Sequence, residues 1–392
     1  MKIQRKGQGA PVSSSKSSPT HPSQSTLNSI PNPAKPPSTI LWALESLILR
    51  SINSPSRRFL EDYWEGVDLE GLSNRGVSEI EPRLPPEVEH LIFTLAFDAS
   101  DHKANTTLIL VARRVHKWIY PLMYRILDEV SEPPTPDFTQ PGCPTVEQIG
   151  SFAHHLVVGR IHDTTEEVHH LLQHCQNLKT LACWYGINMK PLLSNLNAMV
   201  DLRVLSADLD KLTEDDMSSP TLLRLTHIEV ISANEDLLKY LPSFIQKSQV
   251  THLRLYALQF WDAKLIENIL QSCPQLQALT ITKQYEETFS SEYLENTSKL
   301  LQNMYKTDIR LVVLDSSMCT ADDWILGIKG FHDCWSYSDQ IVTARSKKYL
   351  QDGDYQNKPF TSRFDWRGHL TEEGKAWYAQ EERNERVYCK AS

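Results

Sequence analysis

Residues 225–230 read Leu225-Thr226-His227-Ile228-Glu229-Val230, and residues 250–255 read Val250-Thr251-His252-Leu253-Arg254-Leu255. Both are apolar-x-x-apolar-x-apolar. The same triplet recurs at Ala153/Leu156/Val158, Leu178/Leu181/Cys183, Leu202/Leu205/Ala207, Leu276/Leu279/Ile281 and Ile309/Val312/Leu314. First positions are separated by 25, 24, 23, 25, 26 and 33 residues. Repetition at such a period marks a row of like units, none of which can cover its own apolar face. The last two positions of each triplet are two apart, the spacing of one face of a strand.

The intervals between triplets carry helical signals. Val168, Leu171, Leu172 and Cys175 follow an i, i+3, i+4, i+7 stripe, with Thr164 or Thr165 placed to cap it. Asp262 is placed to cap a helix burying Leu265, Ile266, Ile269 and Leu270. Ser290 or Ser291 is placed to cap another burying Tyr293, Leu294, Leu300 and Leu301. Only 213–220 is too polar and short for a full helix. The expected fold is therefore α/β: a short strand and a return helix per unit over 150–330, with a parallel sheet on the concave side and helices outside. In each strand the intervening residues face out from that sheet. Among them Trp184, Asp208, Glu229, Arg254 and Tyr256 form a mixed stripe able to anchor a protein target, since Trp, Tyr and Arg are enriched at binding hot spots.

Outward from the array, the chain changes character. Residues 1–38 are Ser-, Pro- and Lys-rich with little to bury, and read as a disordered tail. Residues 39–81 read as short helices and linker, with Ile40, Leu41, Leu44, Leu47 and Ile48 at helical spacing. Residues 82–128 read as a compact helical unit opened by Pro85-Pro86, with Glu87 suited to the first turn. Residues 129–149 read as a proline-rich linker. Residues 331–392 read as a terminal cap near 331–350, then a poorly anchored tail with a final helix around 372–386.

Composition excludes several classes. Lys plus Arg number 40 and Asp plus Glu 49, a formal charge of −9. A nucleic-acid binder normally shows a basic face, and none is indicated. The first 39 residues carry five basic residues and no acid, a weak signal that fits a flexible tail. Seven cysteines without a Cys-x-x-Cys pair read as reduced thiols of an intracellular protein, in the cytoplasm or nucleus. No apolar run approaches the roughly 18 residues of a membrane helix, so no membrane association is expected.

Six histidines crowd into 154–174, and His170 and His174 stand one helical turn apart. No acid stands at the spacing of a known zinc motif, and two imidazoles rarely make a site. A solvated helix face is the reading, with no metal and no cofactor. No Gly-x-Ser-x-Gly, His-Glu-x-x-His, Walker loop or Gly-x-Gly-x-x-Gly occurs, so no catalytic residue is nominated and a non-enzyme is expected.

The triplets resemble a leucine-rich-repeat array, although the positions eight after each first residue hold Ile161, Gly186, Asp210, Ala233, Leu258, Gln284 and Ser317 rather than that family's Asn or Cys. The array is thus expected to be an irregular leucine-rich-repeat solenoid. Leu84-Pro85-Pro86-Glu87-Val88, Leu91-Ile92-Phe93, the run Leu110 to Trp118 and Pro121-Leu122-Met123-Tyr124-Arg125 resemble an F-box, as found in fungal F-box proteins with leucine-rich repeats. The resemblance implies a substrate-receptor adaptor. Leu84, Pro85, Glu87, Val88, Leu91, Ile92, Leu110, Val111, Trp118, Leu122 and Tyr124 would bind a Skp1-type linker protein of a cullin ubiquitin ligase, and the array would hold a protein target. The alternative is an interaction scaffold in which the same helices merely cap the array.

Overall fold

The computed structural model describes residues 84–97, 102–130, 136, 138, 142–159, 164–184, 186–256, 263–283, 303–315, 321–351 and 365–388. The expectations for 1–38, 39–81, Asp262 and 290–301 lie outside these residues.

The described residues open with three helices: α1 (Pro86–Ala96), α2 (His102–Ile109) and α3 (Arg113–Met123). Strand β1 (Ile126–Asp128) follows directly, then the helical turn α4 (Val146–Ile149). The chain continues through β2 (His155–Val158), α5 (Thr165–His174), β3 (Thr180–Cys183), α6 (Leu193–Ala198) and β4 (Val204–Asp208). Next come α7 (Glu214–Met217), α8 (Pro220–Arg224), β5 (His227–Ser232), α9 (Glu235–Lys247), β6 (His252–Tyr256), α10 (Ala263–Ser272), β7 (Ala278–Lys283) and β8 (Leu311–Asp315). The C-terminal helices are α11 (Ala321–Ile328), α12 (Cys334–Ser346), α13 (Asp365–Gly368) and α14 (Glu372–Tyr388).

The eight strands form one sheet in the order of the chain, and every neighbouring pair is parallel. Parallel neighbours need a crossover, and the intervals supply it. Thr164 Oγ1 accepts a hydrogen bond from the Glu167 amide, and the Glu167 carboxylate accepts one from the Thr164 amide, starting α5. Asn234 caps α9 through the Leu237 amide at 2.8 Å. The crossovers then bury Val168, Leu172, Leu196, Leu222, Leu241, Ile245 and Ile269 against Leu156, Leu181, Leu205, Ile228, Leu253 and Leu279 of the sheet.

The other sheet face is also covered. Val157, Ala182, Trp184, Val312 and Leu314 lie in a second core with Trp324, Ile325, Trp335, Ile341, Trp366 and Tyr378 of the C-terminal helices. The expected solenoid with an open concave side is therefore corrected: this is a layered α/β fold, not a leucine-rich-repeat solenoid. A parallel sheet buried on both faces is the ordinary solution where helices flank both sides. A cap near 331–350 and a final helix around 372–386 are present as α12 and α14, but the loose anchoring expected after 350 is corrected. Trp366 and Tyr378, which the sequence reading places in a loosely held tail, are buried.

Three boundaries shift. Strand β1 belongs to the sheet although 82–128 was expected to be wholly helical, because Leu127 is buried beside Leu156 in register. Part of the expected 129–149 linker is structured, since Val146 and Ile149 of α4 are buried. The last triplet slips by one residue: Leu311 and Val313 pair with Leu279 and Ile281 and face the crossover helices, while Val312 and Leu314 face the C-terminal layer. A one-residue slip exchanges the two faces of a strand, and Leu-Val-Val-Leu offers no polar residue to fix the phase. Among the described eighth positions (Gly186, Asp210 and Ala233), Asp210 echoes a turn ladder, accepting from Ser232 Oγ at 2.8 Å.

Candidate functional site

Two regions carry the residues singled out above. The first is the N-terminal three-helix unit. Pro85 precedes α1 and Pro86 begins it, where a missing amide proton costs nothing. The unit is tied together by Glu89, whose carboxylate takes both Arg114 Nε at 2.5 Å and Nη2 at 2.7 Å, and by His90 against Trp118 with ring centroids 5.1 Å apart. Among its described residues Leu108, Val115 and Ile119 are the buried apolar ones, and Asn105 is buried with them. Tyr120 meets Phe152 edge-on at 6.1 Å and Tyr124 at 4.9 Å, docking α3 on the first core of the sheet. Burial there pushes the Tyr124 hydroxyl up to about 12.

None of the α1 residues is buried. Leu84, Leu91 and Leu95 are 41%, 45% and 39% exposed, and Leu110 and Val111 at the α2–α3 turn are 79% and 46% exposed. Pro85 and Glu87 are exposed as well, whereas Val88, Ile92, Trp118, Leu122 and Tyr124 are half-buried. Leu91 and Leu95 are one turn apart and so share a face of α1. Two large apolar side chains sharing an exposed face mark an interaction surface more often than does a single exposed leucine.

The second region is the sheet face read as a target-binding stripe. Here the expectation is corrected. Trp184, Glu229 and Arg254 are buried, and Asp208 and Tyr256 are half-buried. Alternation assigned these side chains to the correct face, but the C-terminal helices lie over it. Instead of a target they hold one another. Glu229 and Arg254 are register partners on β5 and β6, with Arg254 Nε 3.0 Å from Glu229 Oε1. Trp184 Nε1 donates to Ser206 Oγ at 2.7 Å, and Ser206 donates to Glu229 Oε2 at 2.6 Å. Trp324 Nε1 of α11 donates to the same oxygen at 2.6 Å. Arg254 also donates to Cys334 Sγ at 2.6 Å and lies 3.9 Å from Asp323. Asp323 accepts from the Cys334 amide at 2.9 Å. Burial pushes the Cys334 thiol well up, so it stays protonated. The network spans β3 to β6 and both α11 and α12. Its chemistry is that of a polar lock between layers.

Beside this lock, His227 and His252 stack with centroids 4.2 Å apart, and His252 Nε2 meets Asp339 Oδ1 at 2.7 Å. Trp335 closes over them edge-on. Burial, with His252 adding to it against Asp339, pushes His227 down to about 4. Burial beside Arg125 and His154 pushes His155 down to about 3. An unfolded histidine titrates near about 6.5, so between that pH and about 4 the unfolded chain binds protons that folded His227 refuses. Stability from these two residues is complete above the upper limit and falls as pH drops through the window. Asp208 and Asp333, both raised by burial, work in the opposite direction at the carboxylate end. Urea midpoints measured across this range should decline toward acid, and His227→Gln should flatten the decline; an unchanged slope would refute the burial of a neutral imidazole.

Of the six clustered histidines, His162 lies outside the described residues. His154 and His155 meet each other edge-on at the start of β2. His169 pairs with Gln173 at 3.3 Å. His170 and His174 converge on Glu147, which spacing within α5 could not reveal. Cys175, Cys273 and Cys334 are buried thiols. Among the described residues no helix is long and apolar enough to cross a membrane. No protein-family model matches the chain, and no curated protein matches it in sequence.

Proposed function

We propose that this chain is the substrate-receptor adaptor of a Skp1-cullin-F-box-type ubiquitin ligase, in which the α1–α3 unit engages a Skp1-type linker protein and the α/β body presents a protein target. The observation that carries this reading is the exposure of Leu84, Pro85, Leu91 and Leu95. Helices serving only to finish the sheet would turn these apolar side chains inward. Each leucine covered by a partner contributes roughly 1.5–3 kcal/mol at full burial, so a few suffice to anchor a complex. The target does not dock on the second sheet face, which the C-terminal helices occupy.

A scaffold reading draws on a different contact. Tyr120 and Tyr124 pack α3 onto the sheet core beside β1, which is what an end cap does. The two readings separate in one experiment. Capture with recombinant Skp1-type linker should recover the full chain, and Leu91→Asp with Leu95→Asp should abolish recovery. Both positions are exposed, so the helical circular-dichroism signal should persist. Equal recovery of the double variant, or no recovery of the parent chain, leaves the scaffold reading.

A further inference from the structure

We propose that Glu147, His170 and His174 bind a divalent transition-metal ion of the zinc class and thereby clip α4 to α5. His170 Nε2 lies 3.2 Å and His174 Nε2 4.0 Å from Glu147 Oε1, and the three ligand atoms all fall within 4.8 Å of one another. Metal–ligand bonds of about 2.0–2.2 Å at tetrahedral angles require ligand atoms about 3.3 Å apart. The set is therefore close to closed before any ion enters. All three side chains keep solvent access, at 47%, 53% and 33% exposure for Glu147, His170 and His174. Small rotations bring them together without moving the core.

The backbone that presents them is fixed. Thr164 caps α5, and the i, i+4 spacing sets both imidazoles on one face. The Thr145–Gln148 capping box starts α4, and its C-terminal neighbour Gly150 lies against α5. A Cβ on Gly150 would stand 2.9 Å from the His174 carbonyl oxygen. Only glycine permits that approach, and it holds Glu147 one unit upstream beside the two histidines. Sequence spacing within a single helix offered two ligands; the third comes from the preceding turn of the fold.

Two imidazoles and one carboxylate exclude the hard cations, which take all-oxygen sets. They suit zinc and its first-row neighbours. Three protein ligands leave at least one coordination position to water.

The test is isothermal titration of chelator-stripped full-length protein with zinc chloride at neutral pH, with cobalt(II) absorption as a second readout of coordination. One saturable site is expected. His170→Ala, His174→Ala and Glu147→Gln should each weaken it at least tenfold, while His169→Ala leaves it intact. The metal-free variants should melt close to the parent, because Glu147 and His170 are exposed and His174 is only half-buried. Absence of a saturable site, or equal affinity in His170→Ala/His174→Ala, overturns the proposal. So does loss of binding in His169→Ala, which would mark a diffuse histidine surface rather than this triad.

Discussion

Replacing Arg254 with methionine should lower the unfolding free energy by about 3–5 kcal/mol, the cost of leaving a buried partner charge uncompensated. Arg254 and Glu229 are 1% and 2% exposed as side chains, and Asp323 is equally buried. Glu229 would keep its hydrogen bonds from Ser206 and Trp324 but lose its cation. Cys334 Sγ and Thr282 Oγ1 would lose a donor. Adding Glu229→Gln to Arg254→Met should recover a large part of the loss, because the stranded charge is removed along with its partner. Urea unfolding followed by tryptophan fluorescence reports it well, since Trp184 and Trp324 both sit in the network. A destabilisation within about 0.5 kcal/mol, the range of ordinary surface substitutions, would show that the guanidinium is not locked between the layers.

Removing everything after residue 320 should have a still larger effect. The deletion uncovers Val157, Ala182, Trp184, Val312 and Leu314 and exposes Glu229 and Arg254 without the α11 and α12 groups that satisfy them. A contiguous apolar face of this kind favours association. The truncated chain should bind a hydrophobic dye, lose its cooperative urea transition and aggregate on concentration. Recovery of a monomer with the parent's unfolding midpoint would mean that the second core contributes nothing to stability, against the full burial of Trp366 and Ile341.

Much of the sheet was readable in the chain because a crossover unit needs its apolar residues at fixed places. Six triplets mark β2 to β7 in the correct phase. Strand β1 escaped because its third triplet position is Glu129, leaving Tyr124 and Leu127 as an incomplete signal. Strand β8 was found but mis-phased, since both of its faces are apolar. The stripe of Trp184, Glu229, Arg254 and Tyr256 was put on the correct face for the wrong purpose. Alternation within a strand says which way a side chain points, not what lies above it. The covering helices were hard to recognise for a related reason. In α12 the buried residues include Cys334, Trp335, Tyr337, Ser338, Gln340, Ile341 and Ala344, so they encircle the helix instead of forming one stripe. Polar residues such as Ser338, bonded to Thr280 at 2.7 Å, disguise a buried helix as a surface one. Of the Glu147–His170–His174 cluster only the i, i+4 pair of histidines had a local signature; Glu147 joins them through tertiary proximity across one unit.

Strand order that follows chain order bears on how this molecule is made. Each strand meets a neighbour already synthesised, so pairing can advance from β1 to β8 as the polypeptide leaves the ribosome, with short loops to close at every step. The C-terminal layer breaks that pattern. Trp324 returns across 140 positions of sequence to meet Trp184, their ring centroids 6.3 Å apart, and this long closure follows the pairing of all eight strands. Until it forms, the nascent chain holds a sheet covered on one face only, and that interval of synthesis is a chaperone-dependent one.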